Sequence, residues 1–310
     1  MTVDELKSQL KRFRIRPDKK LGQNFLVSEQ VLDEIIAASE LRKTDHVLEI
    51  GAGLGVLTRA LAEQAGEVIA VEKDRQLVRV LRQIFRNNRN VKIIHEDALF
   101  LDPTVVARIR QPTETKQSTP TSSPPLSRGE TGGEREGVTY KLVANLPYYI
   151  TGAILEKFLT AEARPSLMVL LLQKEVAERV TAGPGAMSIL SVSVQLYADP
   201  EVIDYVGKDN FYPVPEVDSA IVRLRVFPRP RFDVNELAFF QLIKVAFSNK
   251  RKQLHNNLQA LPSKGPKSER TKEQYKEVLQ SLGLSPLARA QDLSLQDWYR
   301  LYERLKNDPA

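Results

Sequence analysis

The 310-residue sequence has no cysteine, one tryptophan and three histidines. Without thiols there is no disulfide scaffold, no cysteine-bound zinc or iron–sulfur site and no thiol nucleophile. His46, His95 and His255 are too scattered for a metal set or a catalytic triad, so no metal is expected. No apolar run approaches the roughly 20 residues of a membrane helix, and Met1-Thr2-Val3-Asp4-Glu5 lacks a signal peptide's apolar segment. A cytoplasmic protein with no membrane association is expected. The chain is 42% hydrophobic and 27% charged, which excludes a wholly disordered or collagen-like polymer. Its length suggests about two domains.

The formal charge of +6 is unevenly placed. Residues 1–20 hold seven basic and three acidic side chains, and residues 229–270 hold nine and three. Two basic flanks around a mildly acidic body suit a polyanion held at two places, most simply nucleic acid. A pair of solvated tails is the plainer alternative.

Between Asp45 and about Gln173, short runs rich in Val, Ile and Leu alternate with amphipathic stretches, the pattern of parallel strands joined by helical crossovers. His46–Ile50, Val68–Glu72, Val91–His95, Tyr140–Asn145 and Leu167–Leu172 fit strands buried on both faces. Before them, Ser28 is placed to cap a helix striped by Val31, Leu32, Ile35 and Ile36. After them, Ala220–Val226 alternates polar and apolar residues, as an antiparallel edge strand with one wet face would. Residues 111–137, rich in Pro, Ser, Thr, Gly and Glu, read as a disordered insertion. Pro228-Arg229-Pro230 then precedes a tail of helical pattern, with Phe240, Ile243 and Phe247 on one face. The expected division is an α/β domain over 1–228 and a helical domain over 232–310.

Leu48-Glu49-Ile50-Gly51-Ala52-Gly53-Leu54-Gly55-Val56 runs from strand through glycine loop into helix, which makes a nucleotide-type cradle. It departs from Gly-x-Gly-x-x-Gly, whose last glycine falls at Val56, and it has no Gly-Lys-Ser/Thr of a P-loop. Glu72 ends the second strand 19 residues after Gly53, where a carboxylate accepts from both ribose hydroxyls. Asp97 follows the third strand, placed to accept from an adenine amine, with Ala98 beside it. Gly51, Gly53, Glu72, Asp97 and Ala98 together suit an adenosine without phosphate, which points to S-adenosylmethionine rather than NAD.

Asn145-Leu146-Pro147-Tyr148 ends the fourth strand. An adenine amine is a poor nucleophile because its lone pair is delocalised into the ring. Accepting its two N–H bonds through the Asn145 side-chain oxygen and the Leu146 or Pro147 carbonyl favours a tetrahedral nitrogen and frees that lone pair. Tyr148 is placed to stack on a base swung out of its helix or loop. A plain turn containing Asn and Pro is the alternative.

Here the sequence resembles the ribosomal RNA adenine dimethyltransferases, in particular the small-subunit enzymes of the kasugamycin-resistance type. The likeness runs from Lys19 to the C-terminal end and is carried by Lys19-Lys20-Leu21-Gly22-Gln23-Asn24-Phe25-Leu26, Asn145–Tyr148, Gln173-Lys174-Glu175-Val176-Ala177, Phe211-Tyr212-Pro213-Val214-Pro215 and Ala246–Lys252. The resemblance implies a class I methyltransferase with a seven-stranded, mostly parallel sheet and a smaller helical C-terminal domain. It implies that Asn24 and Leu26 contact the methionine part of S-adenosylmethionine and that Asn145 completes the cofactor pocket. It further implies that Phe211 lies against the target adenine opposite Tyr148, and that Lys250, Arg251 and Lys252 meet RNA phosphates. The implied reaction is dimethylation of the N6 amines of two adjacent adenosines in the 3′-terminal loop of 16S rRNA, on the small subunit, late in assembly and by a monomer. The loop before Ile189-Leu190-Ser191-Val192 is shorter than the family's, which bears on local substrate contacts. A large-subunit adenine methyltransferase, an assembly factor on the same fold and a DNA adenine methyltransferase are the alternatives.

Overall fold

A computed structural model of the chain describes residues 2–18, 21–104, 139–261 and 270–307. The expected insertion at 111–137 lies outside the described residues. The first helix, α1 (Val3–Arg12), opens with a capping box from Thr2 and Glu5. A two-residue strand β1 (Phe25–Leu26) and α2 (Glu29–Ala38), capped by Ser28, lead into the sheet. There follow β2 (His46–Ile50), α3 (Val56–Gln64), β3 (Glu67–Glu72), α4 (Arg75–Ile84) and β4 (Val91–His95). After the segment outside the described residues come β5 (Tyr140–Asn145), α5 (Thr151–Leu159), β6 (Leu167–Gln173), α6 (Lys174–Val180) and α7 (Ile189–Tyr197). Three strands, β7 (Ala198–Val206), β8 (Phe211–Tyr212) and β9 (Ser219–Val226), precede the helices α8 (Glu236–Ala246), α9 (Leu254–Leu258), α10 (Lys272–Ser281) and α11 (Leu295–Asn307).

The main sheet has seven strands in the order β4-β3-β2-β5-β6-β9-β7. The first five are mutually parallel, and β9 is antiparallel to both of its neighbours. This is the expected class I methyltransferase fold. The chain order reverses between β2 and β5, so a crevice opens at the carboxyl ends of those strands, where ligands of open α/β sheets bind.

Two strand expectations are corrected. Ala220–Val226 is not at the edge: β9 sits inside, and β7 is the edge strand. The apparently wet face of β9 carries Arg223 and Arg225, whose guanidinium groups bond the carboxylate of Glu40, while Arg223 also reaches Glu201. Asp199, Pro200, Glu201 and Asp204 hide the β pattern of β7 from a sequence reading. At the opposite edge, β4 is half-buried and not covered on both faces.

The helical tail shares the apolar core of the sheet. Phe239, Leu242, Ile243, Trp298 and Leu301 pack in one cluster with Leu170, Leu172, Val222 and Leu224. The loop before α7 is tied to the same tail, because Gly185 and Met187 donate main-chain N–H groups to the Gln291 carbonyl at 2.9 and 3.2 Å.

Candidate active site

The crevice at the strand ends is lined by residues 21–26, 49–54, Val71–Lys73, Glu96–Ala98 and Asn145–Ile150, among others. All the expected cofactor residues, Asn24, Leu26, Gly51, Gly53, Glu72, Asp97, Ala98 and Asn145, lie on it, together with Leu146, Pro147 and Tyr148.

The glycine loop turns because Gly51, Gly53 and Gly55 all take left-handed backbone, with φ of 76, 60 and 80°. The Gly51 N–H donates to the Val71 carbonyl at 2.8 Å, which pins the loop to the end of β3. A Cβ at Gly53 would come within 3.3 Å of the Phe25 ring, so the cradle is already filled to its steric limit by protein on that side.

Glu72 is 8% exposed and accepts the Gly53 N–H at 2.9 Å and the Asp74 N–H at 2.8 Å, one on each carboxylate oxygen. Each oxygen keeps a second lone pair, which is the acceptor pair a ribose diol requires. Burial pushes its carboxyl above the usual range, and the two main-chain N–H groups oppose that push. Asp97 accepts the Leu99 N–H at 3.0 Å and pairs with the Lys73 ammonium at 2.8 Å. Burial alone raises Asp97; Lys73 and the Leu99 N–H outweigh it, so the carboxyl lies below its ordinary value. The carboxylates and backbone donors on this wall therefore fit an uncharged nucleoside.

Deeper in, Glu49 is 1% exposed, and its Oε2 has no hydrogen-bond partner among the described residues. Desolvation lifts its carboxyl to about 8, with the neighbouring charge of Glu72 adding to the rise. Lys73, Gln23, Tyr149 and Glu49 also line the crevice and were not assigned to a site by the sequence reading. Glu49 was detectable as the one acidic residue in the strand preceding the glycine loop; the Lys73–Asp97 pair joins two strand ends and leaves no local trace.

The N-terminal loop is clamped onto the Asn145–Tyr148 turn. Asn145 donates its Nδ2 to the Asn24 main-chain carbonyl at 3.1 Å, which turns its Oδ1 away from that carbonyl. At Gly22 (φ 64°), a Cβ would stand 3.1 Å from the Pro147 Cβ, so only glycine allows so close an approach without displacement. Gln23 bridges from the Asp18 N–H to the Asp74 carboxylate, at 2.8 and 3.1 Å. The Pro147 carbonyl accepts the Ile150 N–H at 3.1 Å. A carbonyl oxygen has two lone pairs, so the Pro147 carbonyl keeps one free beside that bond, and both it and the Leu146 carbonyl stay open as acceptors. Tyr148 is held by a 3.0 Å hydrogen bond between its hydroxyl and Ser219 Oγ, and its phenol is raised by burial.

Phe211 is not among the residues that line the crevice. It is 2% exposed, paired with Leu26 across β1 and β8, and shares an apolar cluster with Val31, Ile35, Val206 and Ile221. Lys250, Arg251 and Lys252 are exposed in the turn between α8 and α9. Buried Asn257 shapes that turn, donating to the Ala246 and Asn249 carbonyls at 2.7 and 3.0 Å. None of the three cations has an acidic partner among the described residues.

Comparison with known proteins adds to this geometry. The chain is 39% identical over 300 residues to the ribosomal RNA small subunit methyltransferase A of Dehalococcoides mccartyi strain 195, covering 96% of this chain and 91% of that one. It is 41% identical to the protein of the same name from Pelotomaculum thermopropionicum, covering 93% and 91%. Among solved structures, the 23S rRNA methyltransferase ErmE is similar at 27% identity with a TM-score of 0.65, covering 92% of this chain and all of that one. A dimethyladenosine transferase from Plasmodium falciparum is similar at 26% identity and the same TM-score, covering 89% and 95%. The ribosomal RNA adenine dimethylase profile matches residues 14–307, and the chain belongs to that family.

Proposed function

We propose that this chain dimethylates the N6 amines of two adjacent adenosines in the 3′-terminal loop of 16S rRNA. S-adenosylmethionine is its methyl donor. It acts as a monomer in the cytoplasm, on the small ribosomal subunit late in assembly. The division into a catalytic region over 1–228 and an RNA-contacting tail over 232–310 belongs to the same proposal. The observation that carries it is the Asn145 amide, fixed by the Asn24 carbonyl beside the Glu72–Asp97 wall.

S-adenosylmethionine, held along the glycine loop, supplies a methyl group on a positively charged sulfur that is open to in-line attack. Glu72 accepts from the ribose hydroxyls. Asp97, steadied by Lys73, accepts from the adenine amine, and Asn24, Leu26 and Ala98 complete the walls. In the first transfer the target amine would donate its two N–H bonds to Asn145 Oδ1 and the Leu146 or Pro147 carbonyl, and in the second its remaining N–H to one of them, which orients its lone pair for attack. Tyr148 stacks on the extruded base, a contact worth about 1–3 kcal/mol. Lys250, Arg251 and Lys252 hold phosphates at a distance from the reacting base.

The name shared by the bacterial relatives supports the small subunit as substrate; the likeness to the 23S enzyme keeps the large subunit in the test. The protein is incubated with labelled cofactor and unmodified small subunits, large subunits or adenine-containing DNA, and the label is mapped. Label on two adjacent adenosines of the small subunit is expected. Label confined to large subunits or DNA overturns the assignment. Asn145→Ala should lower transfer about 10²–10³-fold.

A further inference from the structure

Outside the tail, two helices that share an apolar cluster each carry a row of exposed cations. Arg75, Arg79 and Arg82 follow the i, i+4, i+7 spacing of a single helix stripe along α4, and Arg86 extends it into the next turn. All four are exposed, α4 contains no acidic residue, and none of the four has an acidic partner among the described residues. Helix α1 shares an apolar cluster with α4, in which Leu6, Leu10 and Ile15 join Leu77 and Val80. It carries its own exposed row, Lys7, Lys11 and Arg14. Asp4 stands one turn before Lys7 on the α1 row, and the other carboxylates at the border are engaged. Asp74 caps α4 and accepts from Gln23, and Glu5 closes the capping box of α1.

Arg14 stands at the end of the α1 row in a strained backbone position. It occupies the left-handed position of a Schellman motif, with φ of 55°. Its N–H donates to the Lys11 carbonyl at 3.1 Å, and the Ile15 N–H donates to the Leu10 carbonyl at 2.8 Å. Glycine suits that position best, since a side chain there is strained. An arginine thus stands where the backbone alone favours glycine.

We infer that the α1–α4 face docks double-helical RNA, its two cation rows meeting the two phosphate rows that border the major groove. The four arginines span roughly 16 Å along the axis. Cation rows on two elements can each meet one of the two phosphate rows of a double helix, whereas a single strand offers one row of phosphates. The stripes themselves contain no aromatic residue, so they offer no platform for stacked bases. Helix α4 starts at Arg75, two residues after Lys73, which lines the crevice, so the docked RNA helix lies beside the reacting end of the sheet. The inference rests on the proposed RNA methylation and adds a second grip to that of Lys250–Lys252.

The test compares the full chain with an Arg75→Gln/Arg79→Gln/Arg82→Gln/Arg86→Gln variant. Both are titrated with an RNA duplex, a single-stranded RNA of the same length and vesicles of phosphatidylcholine and phosphatidylglycerol at 3:1. The expected result is a preference for duplex that the variant loses, with the salt slope falling by about 0.9 per contact removed. On unmodified small subunits its KM should rise with kcat held, and its affinity for S-adenosylmethionine should stay unchanged. Arg14→Gly separates charge from folding: melting temperature should rise while duplex affinity falls. Should the fourfold variant not fold, Arg14→Gly and single Arg79→Gln decide. Unchanged duplex affinity and salt slope overturn the inference, as does tighter binding to the single strand or the vesicles. A wild-type chain that methylates no ribosomal subunit would instead remove the reading it rests on, and the duplex titration would still score the face.

Discussion

Changing Glu49 to Gln removes an ionisable group from the buried floor of the crevice while keeping its volume. In the native protein this carboxyl titrates at about 8, against 4.5 for the free side chain, chiefly because burial withholds water from the charged form. Between those two values the native state holds a proton that the unfolded chain has released. The carboxyl's contribution to stability is therefore complete below pH 4.5 and is lost as pH rises toward 8, at up to about 1.4 kcal/mol per pH unit. Over the whole window the upper bound is roughly 5 kcal/mol, and at 1% exposure solvent screening does little to reduce it. Gln does not titrate. Urea midpoints of both proteins at fixed salt from about pH 5 to 8 should diverge, with the variant gaining on the native chain as pH rises. Glu72, also raised by burial, remains in both proteins, so it contributes a common slope. Parallel stability profiles would refute a buried protonated Glu49.

Gly55→Ala places a Cβ 2.6 Å from the Phe85 ring at a backbone φ of 80°, and should cost more than the 1–2 kcal/mol or so of left-handed strain alone; a urea midpoint within error of the parent would contradict this. Glu40 stands at φ 47° while binding Arg223 and Arg225. Glu40→Gly and Glu40→Ala lose the same exposed ion pairs, so thermal melts should show Gly more stable by about 1–2 kcal/mol, and the reverse order would sink the strain argument. Tyr148→Phe keeps the ring and loses only the bond to Ser219, so methyl transfer should fall a few-fold, whereas Tyr148→Ala should lose about 1–3 kcal/mol of stacking in kcat/KM; equal losses would assign the role to the hydroxyl.

The central strands were legible because each is a short run of Val, Ile and Leu covered by helices on both faces, so composition alone marks them. The two strands at the antiparallel end of the sheet escaped that logic. The acidic residues and proline of β7 obscure its pairing, and the arginines of β9 read as solvent-facing although carboxylates from distant segments meet them. At the site, the glycine loop, Glu72, Asp97 and Asn145 were legible because a local spacing fixes each at a strand end. The pairing of Phe211 with Leu26, far away in sequence, left no local trace. The Asn24–Asn145 bond and the Lys73–Asp97 pair likewise exist only once the chain has closed on itself.

The apolar core that runs unbroken from the sheet into the tail has a mechanical consequence. A tail joined by a slack tether would search for its RNA contact independently of the crevice. Joined through Trp298 and Leu301 to the core of the sheet, it would hold the Lys250–Lys252 turn at a set offset from Asn145, and under the proposed RNA contacts the molecule would work as a gauge. Adenosines would then be selected by how far they lie from the gripped phosphates, and the enzyme need read few base edges to find them.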